Sequence, residues 1–261
     1  MSSPVPARPC TDHGALPRST SVRHPFRGAL HSPLRPLSRF LVRRRYDVRV
    51  HGSGLIPRTG PVIFAANHIG VADGPFLAIF APHRPVHALT KIEMFRGALG
   101  AFLRFAGQIP LDRFNSDPRA VKTCLRVLRD GHPVGVFPEG RRDAGNLARF
   151  HRGAGYLALV SGAPVVPVVM LGTRPPGGHR SSLPPKGGRV DLVFGRPYHC
   201  DPVPWPRTRE QVEHTSLLLR EHMLVHLDHA LALTGQTLPG PLPGDEKDPD
   251  PDTGVTDRGA P

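Results

Sequence analysis

Between residues 47 and 194 short β-branched runs alternate with segments of helical periodicity, and this alternation confines the chain to few architectures. Strands are expected at Asp47–Val50, Val62–Ala66, Val86–Leu89, Gln108–Leu111, Val134–Phe137, Val165–Met170 and Val190–Phe194. Helices are expected at Leu34–Arg45, Pro75–Phe80, Arg96–Ala106, Pro118–Arg129, Gly153–Ser161 and Arg207–Leu233. Such a series specifies an α/β fold, a single domain with a mixed, largely parallel sheet flanked by helices. Its length of 261 residues suits one sizeable core, and no internal repeat is present. The folded domain is expected to span 31–237, opening with a basic amphipathic helix over 31–46. Residues 1–30 are rich in Pro, Ser, Arg and His without periodicity and read as a disordered basic tail. The stretch 238–261, "LPGPLPGDEKDPDPDTGVTDRGAP", has almost no core residues and reads as a second disordered tail.

In sheets of this kind ligands gather beyond the carboxyl ends of the strands. Three chemically notable segments fall there: His68 after one expected strand, Asp112-Arg113 after a second, Pro138-Glu139-Gly140 after a third. His68 alone among the histidines has an acid, Asp73, five residues later. A carboxylate beside an imidazole fixes its tautomer and supports the imidazolium, which leaves the other nitrogen to take a proton from a hydroxyl. A buried histidine satisfied by a local carboxylate would give the same spacing, and the spacing does not separate the two. Val165–Met170 is near-continuous apolar sequence interrupted by Pro167, so it is expected to be an edge or bulged strand.

The net charge of +13 favours an acidic partner: nucleic acid, anionic headgroups or phosphorylated substrates. Nucleic-acid binding would require exposed aromatics among the basic residues or a reading motif. With one Trp, three Tyr and no such motif, no nucleic-acid partner is expected. Cys10, Cys124 and Cys200 lie far apart, which argues against a metal site, a redox dithiol or a disulfide framework and fits a reducing, cytoplasmic setting. No eighteen-residue apolar stretch and no signal-peptide core occur, so no membrane span is expected.

Four ordered segments carry a resemblance: Asn67-His68-x-x-x-x-Asp73, Gly107-x-Ile109-x-x-Asp112-Arg113, Phe137-Pro138-Glu139-Gly140-x-Arg142 and Val166-Pro167-Val168. Together they resemble the motifs of the glycerolipid (PlsC-type, lysophosphatidate) acyltransferase family, over roughly residues 35–235, and Lys91 matches a basic position common there. The resemblance implies acyl transfer from acyl-CoA or acyl carrier protein to 1-acyl-glycerol-3-phosphate, with no cofactor. It implies that His68 is the general base and Asp73 its orienting carboxylate. By the same resemblance Arg113 grips the acceptor phosphate, Glu139, Gly140 and Arg142 belong to the acceptor site with Lys91, and Pro167 shapes the acyl side. No Gly-x-Ser-x-Gly elbow is present, in keeping with a route that forms no acyl-enzyme.

Two positions depart from the family pattern: Gly70 where Ser is frequent, and Arg141 where Thr or Ser is usual. They leave a different alcohol or amine acceptor open. Leu34, Leu37, Phe40 and Leu41 form one helical stripe flanked by Arg35, Arg39 and Arg43–Arg45, a pattern suited to an anionic bilayer surface. The expected location is peripheral, on the inner face of the cell membrane, with lysophospholipid and the anionic surface as partners. A helix packing its stripe on its own domain is the competing expectation.

Overall fold

The computed structural model describes residues 28–246 and Val255, with side chains from Leu34 onward except Asp245. Helix α1 (Gly28–Arg45) leads into β1 (Asp47–His51), β2 (Val62–Ala66), α2 (Asp73–Phe80) and β3 (His87–Lys91). There follow α3 (Gly97–Phe105), β4 (Ile109–Leu111), α4 (Pro118–Arg129), β5 (Pro133–Val136), α5 (Gly153–Ser161), β6 (Val165–Leu171), β7 (Arg189–Phe194) and α6 (Arg209–Thr234). The seven strands form one sheet in the order β1-β7-β6-β2-β5-β3-β4. Every neighbouring pair is parallel except β6–β7. Among the described residues no helix is long and apolar enough to cross a membrane.

β2, β5 and β6 are buried along their whole length, and such runs read as continuous hydrophobic sequence because helices cover both faces. On one face Val62, Phe64, Ala66, Val166 and Val168 pack against Phe76, Leu77 and Phe80 of α2, with Val42 of α1 at the margin. On the other, Ile63, Ala65, Val134 and Val165 pack against α4, α5 and α6 through Val127, Leu128, Leu157, Leu219 and Met223. Asp117 caps α4 by accepting from Ala120 N at 2.9 Å, and Thr208 with Gln211 forms a capping box on α6.

Two expectations need correction. β6 is not an edge strand: it lies between β7 and β2. It tolerates Pro167 because Gly195 N donates to the Pro167 carbonyl at 2.9 Å, and a strand residue's nitrogen points to the same neighbour as its carbonyl. The missing donor therefore falls opposite Gly195, one residue past the end of β7, where the regular ladder breaks before pairing resumes at Val165–Tyr198 with one extra residue on the β7 side, a bulge beside Pro167. The folded region also does not stop at 237. Leu242 is 3% exposed, and its N–H donates to Asp143 Oδ1 at 3.0 Å. Glu246 Oε2 accepts from Arg180 N at 2.9 Å. The stretch 238–246 is a strap over the loops that follow β5 and β6. Composition hid this because the apolar side chains there are two leucines among three prolines, and much of the attachment is by hydrogen bonds. Residues 1–27, where the N-terminal tail is expected, lie outside the described residues.

Candidate active site

β2, β5 and β6 run parallel, so their carboxyl ends open on one edge, and the loops after them supply the site. At the end of β2 the Asn67 side chain continues the ladder in place of backbone. Met170 N donates to Asn67 Oδ1 at 2.7 Å, and Asn67 Nδ2 donates to Met170 O at 3.1 Å. This frees the main chain to turn at His68. α2 then starts at Asp73, earlier than the Pro75 expected, which sets the Asp73 carboxylate in the first turn.

Asp73 is fully buried and all its partners are donors. Ile69 N and Gly70 N donate to Oδ2 at 2.7 and 2.9 Å, and Thr173 Oγ1 donates to Oδ1. His68 Nδ1 lies 2.7 Å from the same Oδ2. With the carboxylate acting as acceptor throughout, the imidazole proton sits on Nδ1 and the lone pair on Nε2. The ring stacks on Phe137, with centroids 4.4 Å apart, and its side chain keeps 18% of its surface open. The imidazole thus has a fixed tautomer and a fixed ring plane, with Nε2 left outside the contact to Asp73.

Glu139, expected in the acceptor site, is 3% exposed, and its Oε1 accepts from His68 N at 2.8 Å. Burial pushes its carboxyl up to about 8, with the nearby Asp73 and Asp143 charges adding to the rise and the His68 N–H opposing it. Its carboxyl braces the His68 backbone.

Arg113 is aimed by the turn that carries it. Asp112 Oδ1 accepts from Phe114 N and Asn115 N at 2.9 and 3.2 Å, closing a tight loop after β4. The guanidinium donates through Nη1 to Gly140 O at 2.7 Å, which joins the second and third sequence motifs, while its buried Nε meets no acceptor among the described residues. Lys91 ends β3 opposite Leu111 of β4, so it shares that end of the sheet with Asp112 and Arg113. Arg142 Nη1 donates to Arg180 O at 3.2 Å, and Arg141 lies 3.9 Å from Asp143. Pro167 is opposite Ala65, three residues below His68 in the ladder, inside the sheet rather than at its mouth.

Sequence reasoning missed Asn67 as a brace, Thr173 and Arg174. Arg174 is 1% exposed and donates to four carbonyls: Ile69 at 2.7 Å, Gly178 at 3.0 Å, Asp143 at 3.0 Å and Gly240 at 2.6 Å. It ties the His68 loop to the loops after β5 and β6 and to the C-terminal strap. Its sequence signal was position alone, just past the end of β6. Gly70 belongs to the same contact, since a Cβ there would sit 3.3 Å from Arg174 Cβ and 3.2 Å from Thr173 O. Among the described residues no group of three or more His, Cys, Asp or Glu side chains could hold a metal ion.

The profile of the acyltransferase family matches residues 47–171. A 1-acyl-sn-glycerol-3-phosphate acyltransferase from Bacillus subtilis is 30% identical over 156 residues, covering 59% of this chain and 75% of that protein. One from Chlamydomonas reinhardtii is 32% identical over 155 residues, 57% of this chain and 46% of that protein. The crystal structure of the 1-acyl-sn-glycerophosphate acyltransferase PlsC from Thermotoga maritima superposes with a TM-score of 0.56 at 22% identity, covering 78% of this chain and 84% of that one, a likeness of fold.

Proposed function

This chain belongs to the acyltransferase family, and from that premise we propose that it moves a fatty acyl group from an acyl thioester to the free hydroxyl of 1-acyl-glycerol-3-phosphate. The thioester is carried by coenzyme A or acyl carrier protein, and the product is phosphatidate. One observation carries the reading: His68 Nδ1 lies 2.7 Å from a buried carboxylate whose other partners all donate, which leaves Nε2 as a base at the open edge.

The acceptor hydroxyl attacks the thioester carbonyl as its proton passes to His68 Nε2. The tetrahedral intermediate collapses, the C–S bond breaks, and the departing sulfur takes the proton back from Nε2. An ester and a free thiol result, with no acyl-enzyme. Asp73 holds the ring and offsets the imidazolium charge between the two transfers. Arg113, with donors left over after Gly140, and Lys91 beside it suit the acceptor's phosphate, which a planar guanidinium binds through paired hydrogen bonds. The amphipathic α1 places the enzyme on an anionic membrane surface, where both lipid substrates reside. Its stripe faces outward: Leu34, Leu37, Phe40 and Leu41 are all exposed.

The test is acyl transfer from long-chain acyl-CoA to lysophosphatidate in anionic vesicles. His68→Ala should lower kcat by about 10²–10⁴. Arg113→Ala should act mainly by raising the acceptor KM. A His68→Ala enzyme as active as wild type would overturn the mechanism. A different acceptor has one observation in its favour, the half-buried Arg141 where the family carries a hydroxyl. Turnover of thioester only with a non-phosphorylated alcohol or an amine would decide for it.

A further inference from the structure

The helix between β3 and β4 packs in an unusual way. α3 (sequence GALGAFLRF) buries only Gly100, while Leu99 and Phe102 are 49% and 60% exposed. The turn before it exposes Ile92 and Met94 as well. α3 does pack closely on its own lead-in. Gly100 lies so close to Phe95 that an added Cβ would be 2.2 Å from the Phe95 carbonyl carbon, and Arg104 Nη2 donates to Phe95 O at 2.8 Å. A helix of nine residues has little stability of its own in water, and its apolar side is the part that would normally find a core.

Topology gives that side a direction. α2 and α3 each connect parallel strands while stepping the same way across the sheet, and right-handed crossovers put both on one face. α1 packs on α2, with Arg39 Nε donating to Ile79 O at 2.8 Å, so the stripe of α1 and the apolar side of α3 belong to the same face of the molecule. The other face is covered by α4, α5 and α6. Cations complete the pattern, with Arg96 and Arg104 at the two ends of α3 and Lys91 just before the turn. Apolar side chains bordered by arginines, on a chain of net charge +13, match an anionic lipid surface. Because the turn Ile92–Met94 begins directly after Lys91, the patch starts at the edge where the site opens.

We propose that α3 and the turn Ile92–Met94 form a wedge that inserts into an anionic phospholipid bilayer and seats it against the rim of the site. The proposal extends the membrane contact already assigned to α1 and takes its purpose, though not its geometry, from the lipid-substrate reading.

The experiment places an indole on the wedge, Phe102→Trp in a Trp205→Phe background. Emission is followed with phosphatidylcholine vesicles containing phosphatidylglycerol and acyl-brominated lipid. Quenching of the introduced indole is expected. Leu99→Gln with Phe102→Gln should weaken partition onto the same vesicles by about tenfold or more, two large apolar side chains being removed from the contact. Turnover of a short-chain thioester with detergent-dispersed acceptor should be unchanged in that variant. Vesicle binding without quenching, or partition equal to wild type, would overturn the wedge. So would a lipid-free dimer, seen by sedimentation, that the double substitution dissolves, because the patch would then be covered by a second copy. If lysophosphatidate proves not to be the acceptor while quenching persists, the wedge stands and the substrate reading falls.

Discussion

Asp73 gathers donors from His68, Ile69, Gly70 and Thr173, and Glu139 meets the His68 main chain from the other side. His68 is therefore held by its ring and by its backbone separately. The second hold has a pH signature. A free glutamate near 4.5 has become one near 8, so across that interval the folded protein keeps a proton that the unfolded chain has released. Its contribution to stability is complete below the lower value and is lost as pH rises through the upper one. Glu139→Gln keeps an acceptor for His68 N and removes the titration, so it should flatten the decline of the urea midpoint over that window. A variant whose midpoint falls as steeply as wild type would place the slope elsewhere. The contact of His68 with Asp73 was legible as a candidate because the two lie five residues apart, and Arg113 was singled out through the resemblance of its segment. Thr173 and Arg174 were not, since their partners Asp73 and Ile69 lie about a hundred residues away and only the β2–β6 pairing brings them close.

Most elements were legible because their periodicity is local. Val62–Ala66, Pro118–Arg129 and Gly153–Ser161 appear with the bounds that pattern and capping imply. Where sequence misled, tertiary context had decided the matter. Pro167 looked like the mark of an edge, yet the strand it sits in is interior because the missing donor falls past the end of β7. The stripe of α1 could equally have packed inward. It does not, because Arg35 and Arg39 dock the helix by donating to the carbonyls of Ile79 and Ala81 at the end of α2, and the apolar side is left out. The strap 238–246 offers a direct check at this scale. Leu242→Ala should cost about 2 kcal/mol, at the low end for a buried leucine because the strap can settle around the loss. The urea midpoint at constant m reads it. A midpoint equal to wild type would mean that the strap does not contribute.

At the scale of the whole molecule the sheet divides two kinds of surface. One face is closed by α4, α5 and α6 over a continuous core, and the other carries α1 and α3 with their apolar side chains outward. Between them the single antiparallel pair, β6–β7, has an effect beyond the sheet. Since β7 runs against β6 and β1 runs with β7, both β1 and β7 start at the edge where β6 ends. The end of α1 is brought there too, with Gly187 N donating to Arg45 O at 2.8 Å, so the exposed Arg44 and Arg45 end the helix at the same edge as the site. One reversed strand thereby sets a field as well as a topology. Diffusing anions are drawn toward the mouth before any contact is made, and such capture weakens as ions shorten the reach of the charge. With detergent-dispersed lysophosphatidate, kcat/KM should fall as ionic strength rises while kcat at saturating acceptor holds. Arg44→Gln with Arg45→Gln should make the dependence shallower, and an unchanged slope would locate the capture elsewhere. On the shallower outcome the direction of β7 would be read out as a rate of arrival.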